Sequence, residues 1–346
     1  MTASNNVIAE WTSKWSVLFV EKEVFRTTDP DQIARMIDTF CQTELGSAVA
    51  DYLFFESSQG AVCGLRLIDG RRVVIKVHKF SRSLDFLNAV VRVQHYLADK
   101  GYPCPRPLLG PRPLAYGQAI VEELIDEGFY KDAHDPVIRR SMAEMLAWLI
   151  KLTHKPETIP GLRPSALDRR LPSSTLWPTP HSKLFDFEAT AAGAEWIDDI
   201  ARKTKEVVST GAGDLVLGHT DWSVKHLRYV GQHVRIIYDW DSLALDKEPV
   251  IVGSAAIGFT YTEFLDVPKL PTREESRAFV AEYEATRGKL FTVEERNTLA
   301  AAATYGLSYG ARCEHALHPH EAEVPAGSCR ETLATFGDKL PSCLLN

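Results

Sequence analysis

The sequence predicts an α+β protein in two parts, a smaller strand-rich N-terminal part and a larger helical C-terminal part. Three observations carry this. Residues 62–78 hold two β-branched runs around a D-G turn. Residues 138–152, 192–208, 274–286 and 292–312 carry apolar side chains at helical spacing. Within this helical remainder, two short strand-like runs, Asp214 to Leu217 and Val234 to Tyr238, flank a polar loop. The boundary is expected near residue 123, giving a strand-rich part over 1–123 and a helical part over 124–346.

The elements follow in order. Ile33, Met36, Ile37 and Phe40 predict a leading helix over 31–55. Ser57-Ser58-Gln59-Gly60 precedes the first strand, Val62 to Leu67. Ile68-Asp69-Gly70-Arg71 is a turn, and Arg72 to His78 completes a hairpin. Leu84, Leu87, Val90, Val91 and Leu97 place a helix over 82–99, ended by Lys100-Gly101 and Pro103. The stretch from Tyr102 to Pro113 reads as a proline-punctuated connector, and Ala119 to Leu124 as a short strand. Met142, Met145, Leu146, Leu149 and Leu152 share one face of the helix 138–152. Residues 155–185 read as irregular, and the tail after 312 as loop.

Composition bounds the function. Of 346 residues, 45% are apolar and 25% charged, as in ordinary globular proteins. A net charge of −7 argues against nucleic acid or an anionic membrane surface as the main partner. Cys41, Cys63, Cys104, Cys313, Cys329 and Cys343 form no C-x-x-C pair and read as free thiols of a reducing compartment. The N-terminus lacks the basic and apolar regions of a signal peptide, and no apolar run approaches membrane-spanning length. A soluble cytoplasmic protein is expected, as a monomer or homodimer.

The chemistry is concentrated in His219-Thr220-Asp221-Trp222-Ser223-Val224-Lys225-His226, followed 18 residues after Asp221 by Asp239 in IIYDWDSL. A five-residue step from Asp221 to position 226 lets a tight loop aim both side chains at one place, and the short strand delivers a second carboxylate. This segment resembles the aminoglycoside phosphotransferase and choline kinase family, with its H-x-D-x-x-x-x-N loop and a following strand ending in I-D-W or I-D-F. The resemblance spans roughly residues 50–260 and implies a bilobal protein-kinase-like fold. It implies transfer of the γ-phosphoryl group of ATP or GTP to a hydroxyl of a small molecule, with Mg²⁺ or Mn²⁺. Asp221 would be the catalytic base, Asp239 the principal metal ligand and His219 a structural residue of the loop. Lys76 in VVIKVH would hold the nucleotide phosphates, Ser58 and Gly60 would belong to the phosphate loop, and Val121, Glu122 and Glu123 would line the adenine edge. Aminoglycosides and other antibiotics are the first expectation for the acceptor, and an antibiotic-modifying or self-resistance enzyme the first guess at its role.

Several positions depart from the family pattern. His226 stands where the family has asparagine; it either ligates a metal through nitrogen, contacts phosphate, or marks a lost second metal site. The helix 82–99 lacks the usual glutamate partner for Lys76 and offers only Asp85 and Gln94. The late P-x-x-D element reads Pro249-Val250-Ile251-Val252, so its bracing aspartate is missing. These departures motivate a rival reading, a catalytically silent binding protein of the same fold. Two further signals are weak. Gly306-Leu307-Ser308-Tyr309-Gly310 matches a nucleophile elbow but follows an alanine-rich helix instead of a strand. Cys313, His315, His318 and His320 with Glu321 and Glu323 meet no zinc spacing. Trp222 and Trp240 read as packing residues.

Overall fold

The strand period of residues 61–79 sorts their side chains onto two faces, and one of these faces is covered by the N-terminal helices. The computed structural model describes residues 6–153, 159–165, 175–320 and 324–337. The chain forms two compact units, Met1–Asp126 and Glu127–Asn346. The first contains α1 (Asn6–Lys14), α2 (Phe19–Val24), α3 (Pro30–Phe40), β1 (Val49–Ser57), β2 (Ala61–Leu67), β3 (Arg72–Lys79), α4 (Leu84–Asp99), β4 (Pro107–Leu114) and β5 (Gly117–Glu123). The five strands pair antiparallel in the order β1-β2-β3-β5-β4. Cys63, Leu65, Leu67, Val73, Ile75, Val77, Ala119 and Val121 form one core with Val24, Phe25, Ile33, Ile37 and Phe40 of the helical segment. Alternate residues, Lys76 among them, point to the opposite face.

Two sequence expectations are corrected here. The leading helix does not run to 55: Asp29 caps α3, Pro30 occupies its first turn, and after a wide turn at Cys41–Leu45 the chain reverses at Gly46 with φ 70°. Residues from Val49 form β1 instead. Register shifts between Val49 and Asp51 and between Tyr52 and Phe54 bury Tyr52 and Phe55, three apart, and so imitate a helical period. The proline-rich connector is largely the edge strand β4, where a missing N–H costs no ladder bond on the open side.

The second unit contains α5 (Pro136–Leu152), α6 (Glu195–Thr210), β6 (Leu215–His219), β7 (Leu227–Val230), β8 (His233–Ile237), β9 (Leu243–Lys247), α7 (Glu248–Gly258), α8 (Arg273–Arg287), α9 (Val293–Leu317) and α10 (Cys329–Phe336). Both expected strands exist, but each pairs with a strand not foreseen, β6 with β9 and β8 with β7. The tail after 312 is not all loop, since α9 runs on to Leu317 and α10 follows; Ser328 caps α10 by accepting from Glu331 N–H. Part of the irregular stretch 155–185 lies outside the described residues. Thr272 with Glu275 and Thr292 with Glu295 form capping boxes that start α8 and α9. α7 lies close on α9: a Cβ at Gly253 would stand 2.3 Å from the Leu299 carbonyl oxygen. Buried Glu248 at the start of α7 accepts from Tyr283 Oη at 2.6 Å and from Arg287 at 2.8 Å. The G-x-S-x-G run lies inside α9, with Ser308 fully buried and donating to the Thr304 carbonyl, so it forms no elbow. No described helix is long and apolar enough to cross a membrane.

Candidate active site

β6 delivers the chain at His219, and the loop 220–226 leads into the β7–β8 hairpin. In that hairpin Tyr238 N–H donates to the His226 carbonyl at 2.9 Å, which sets residue 226 beside residue 239. Asp239 itself has φ 65° and ψ 45°, a left-handed conformation that aspartate tolerates better than most residues. Ser242 N–H closes this turn on the Asp239 carbonyl at 3.0 Å, and Ser242 Oγ donates to Asp239 Oδ2. Thr220 then fastens the loop, its N–H and Oγ1 both donating to the Ser242 carbonyl. His219 is buried, pairs through Nε2 with the Tyr238 carbonyl at 3.0 Å, and lies edge-on to the buried rings of Trp222 and Trp240.

The outcome is a compact trio. His226 Nε2 lies 3.0 Å from Asp221 Oδ2 and 3.8 Å from Asp239 Oδ2. One ligand atom from each of the three residues falls within 4.8 Å of the others. Ligand distances of roughly 2.0–2.6 Å to a divalent cation require donor atoms about 3–5 Å apart, so the trio fits one ion. Two carboxylates and one imidazole form a donor set open to Mg²⁺ and more favourable to Mn²⁺ than an all-oxygen set. Among the described residues this is the one such grouping of His, Cys, Asp and Glu. Cys313 and His315 are buried in α9, where His315 Nε2 pairs with the Ala192 carbonyl; Glu321, Glu323 and Cys343 lie outside the described residues. The five described cysteines are free.

The site also holds a residue that the sequence reading left without a role. Lys225 Nζ lies 3.1 Å from Asp221 Oδ2 and 4.9 Å from the centre of the Tyr261 ring. Burial pulls the lysine pKa down, but Asp221 more than offsets this and holds it above the ordinary value. Burial likewise pushes the Asp221 carboxyl up, yet the bond and charge of His226, with Lys225 and His219, hold it far below the usual carboxylate range. Burial pushes His219 below the ordinary histidine value against the pull of Asp239 and Asp221. The bracing expected of the missing late aspartate comes from backbone instead. Val224 N–H donates to the Phe259 carbonyl at 2.9 Å and Lys225 N–H to the Tyr261 carbonyl at 3.3 Å, while Val252 is buried in α7.

In the first unit, Ser58 and Gly60 form the tight turn between β1 and β2, with Ser58 N–H donating to the Gly60 carbonyl. A Cβ at Gly60 would lie 2.6 Å from the Val77 carbonyl oxygen, so glycine lets this turn approach β3. Lys76 Nζ pairs with Glu122 Oε2 at 3.2 Å. Of the two helix residues considered for this role, Asp85 is exposed in the first turn of α4, and Gln94 Nε2 donates to Glu122 Oε1 at 3.0 Å. Val121 is packed in the core, the Glu122 side chain is turned to Lys76, and Glu123 N–H donates to the Arg106 carbonyl. All three lie in the ladder between β3 and β4.

Comparison with known proteins places the chain in a family. The profile of the phosphotransferase enzyme family matches residues 65–247. No curated protein matches the chain. Among solved structures, the chain is similar to a Plasmodium vivax ethanolamine kinase at 13% identity, with 99% of this chain and 96% of that one covered and a TM-score of 0.57. It is similar to an amicoumacin kinase in complex with AMP-PNP, Ca²⁺ and Ami at 12% identity, covering 84% and 88% with a TM-score of 0.56. It is similar to an AMP-bound spectinomycin phosphotransferase at 13% identity, covering 90% and 98% with a TM-score of 0.54. At such identities these likenesses establish the fold, which is the α+β protein-kinase-like fold. With the family profile covering more than half of the sequence, the chain belongs to the phosphotransferase enzyme family, acting on hydroxyl acceptors.

Proposed function

We propose that the protein moves the γ-phosphoryl group of ATP or GTP to a hydroxyl of a small molecule. The observation that carries this reading is the meeting of Asp221, His226 and Asp239 within one ion's reach, with Lys225 on the same Asp221 oxygen. Asp221 orients the acceptor hydroxyl and takes its proton as the bond to phosphorus forms. In a loose transition state the hydroxyl is deprotonated late, so a strongly acidic carboxylate serves mainly by orientation. Asp239 and His226 would hold the divalent cation, Mg²⁺ or Mn²⁺. The bound cation would neutralise phosphate charge as the leaving group separates. Lys225 adds a positive charge beside the reacting hydroxyl. Lys76 binds the phosphates, and the Ser58–Gly60 turn supplies backbone and hydroxyl donors to them. The AMP-PNP and Ca²⁺ of the amicoumacin kinase complex support a nucleotide and a divalent cation here. Aminoglycosides and other antibiotics, with amino alcohols beside them, are the acceptor classes to try first, with an antibiotic-modifying role the leading expectation.

The test is nucleotide- and metal-dependent thermal stabilisation joined to an acceptor screen that reads ATP consumption. Saturating ATP at about 100 times its Kd stabilises by about 2.7 kcal/mol, and this gain should need Mg²⁺ or Mn²⁺. Asp221→Asn should lower turnover by about 10²- to 10⁴-fold. Absence of any metal-dependent stabilisation by ATP or GTP would remove the assignment.

A further inference from the structure

We propose that Glu122 is the positioning residue for Lys76, a strand carboxylate doing what a helix carboxylate would otherwise do, with Gln94 of α4 fastening it. The proposal rests on the reading of Lys76 as the phosphate-binding lysine. α4 has no acid to offer: Asp85 is exposed in its first turn, and Asp99 at its last residue pairs with Arg106 at 2.7 Å. The register of the sheet supplies one instead. Lys76 of β3 lies opposite Ile120 of β5, and Val74 opposite Glu122. Cross-strand partners and residues two apart share a face, so Lys76 and Glu122 are diagonal neighbours on it.

Burial makes the pairing consequential. The Lys76 and Glu122 side chains are 12% and 3% exposed, and Gln94 is fully buried. Glu122 Oε2 meets Lys76 Nζ at 3.2 Å, and Glu122 Oε1 accepts from Gln94 Nε2 at 3.0 Å. Both carboxylate oxygens are thus satisfied, as a buried charge requires. Gln94 keeps this contact although its own Oε1 is buried without a partner. A solvated or apolar side chain would be the expected occupant of position 94 if the amide served only to fill space. β5 is paired on both sides, so its carboxylate is fixed by two ladders. The carboxylate that directs Lys76 is therefore supplied by strand register, with α4 contributing the Gln94 amide that holds it.

The decisive experiment moves the charge. Binding of Mg²⁺·AMP-PNP and of adenosine is measured by calorimetry for the whole chain and for Glu122→Gln, Lys76→Met and the double variant Q94E/E122Q. Glu122→Gln should raise the Kd for Mg²⁺·AMP-PNP about tenfold, the loss of one charged hydrogen bond, with the adenosine Kd unchanged. Q94E/E122Q returns the carboxylate from the helix side and should restore affinity to within about threefold of the parent. A pair that merely braces the sheet would weaken both ligands or neither, and would show no rescue; either pattern overturns the proposal. Glu122→Asp keeps the charge but withdraws it by one methylene. It should show a smaller, phosphate-selective loss, which serves if Glu122→Gln folds poorly. If Lys76→Met leaves AMP-PNP affinity intact, the role given to Lys76 fails; if only the Glu122 variants are silent, this inference fails alone.

Discussion

Gly218 of β6 offers a direct test of how α7 sets the loop 220–226. A methyl group at this position would lie 2.4 Å from Ile251 Cγ2 and 2.7 Å from its Cγ1 and Cδ1, and Ile251 is only 2% exposed. Gly218→Ala must therefore turn a buried isoleucine in a packed core or push β6 away from α7. Overpacking of this kind costs about 1–3 kcal/mol, and a contact far below 3.0 Å argues for the upper half of that range. Ile251→Ala should cost about 2–5 kcal/mol, the transfer term plus the cavity. In the double variant the new methyl enters space vacated by Ile251. The two losses should then fall short of their sum by about 1–2 kcal/mol. Urea unfolding of the parent, both single variants and the double variant gives the four free energies, with unchanged m-values as the check on comparability. Turnover should follow the same order, because β6 ends at His219 and hands the chain to Asp221. Additivity within about 0.5 kcal/mol, or a neutral Gly218→Ala, would refute the packing argument.

Two further perturbations address metal choice and pH. His226→Asn replaces imidazole by a hard carbonyl oxygen, so nucleotide stabilisation should shift from Mn²⁺ towards Mg²⁺; an unchanged metal ratio would take His226 out of the coordination. His134 pairs with the Pro268 carbonyl and with Glu275, each at 2.9 Å; burial lowers its pKa, but these partners win and hold it above the ordinary value. Its stabilising contribution is therefore full below the unfolded value of about 6.5 and lost as pH rises through the folded value. The gap in urea midpoint between the parent and His134→Ala should narrow from pH 5.5 to pH 8.5, and a widening gap would contradict the pairing.

The contacts around Lys76 and the loop 220–226 weaken the rival reading as a silent binding protein. Two of its three motives, the absent helix glutamate and the absent late aspartate, lose force, since Lys76 has Glu122 as a partner and Val224 and Lys225 donate to the Phe259 and Tyr261 carbonyls. The third, His226, lies within ion-sharing distance of both aspartates.

What was legible in the chain was local. Asp221, His226 and Asp239 fall within 19 residues, and one hairpin with its flanking turns brings them together, so the motif resemblance could single them out from a short stretch of chain. The hairpin carrying Lys76 was readable for the same reason: its strands adjoin and alternate cleanly. β1 was not, because bulges broke its period, and β4 was not, because only an edge position makes its prolines acceptable. The partner of Lys76 was beyond reach of any local pattern. It lies 46 residues away, and its nearness depends on β3 pairing with β5 in one register. A one-residue slip would turn Glu122 to the other face of the sheet, towards the apolar core beneath the N-terminal helices. Sequence determined which groups could do the chemistry. Only the long-range register of the sheet and the packing of α7 decided which of them meet, because side-chain direction in a strand depends on pairing as well as on identity.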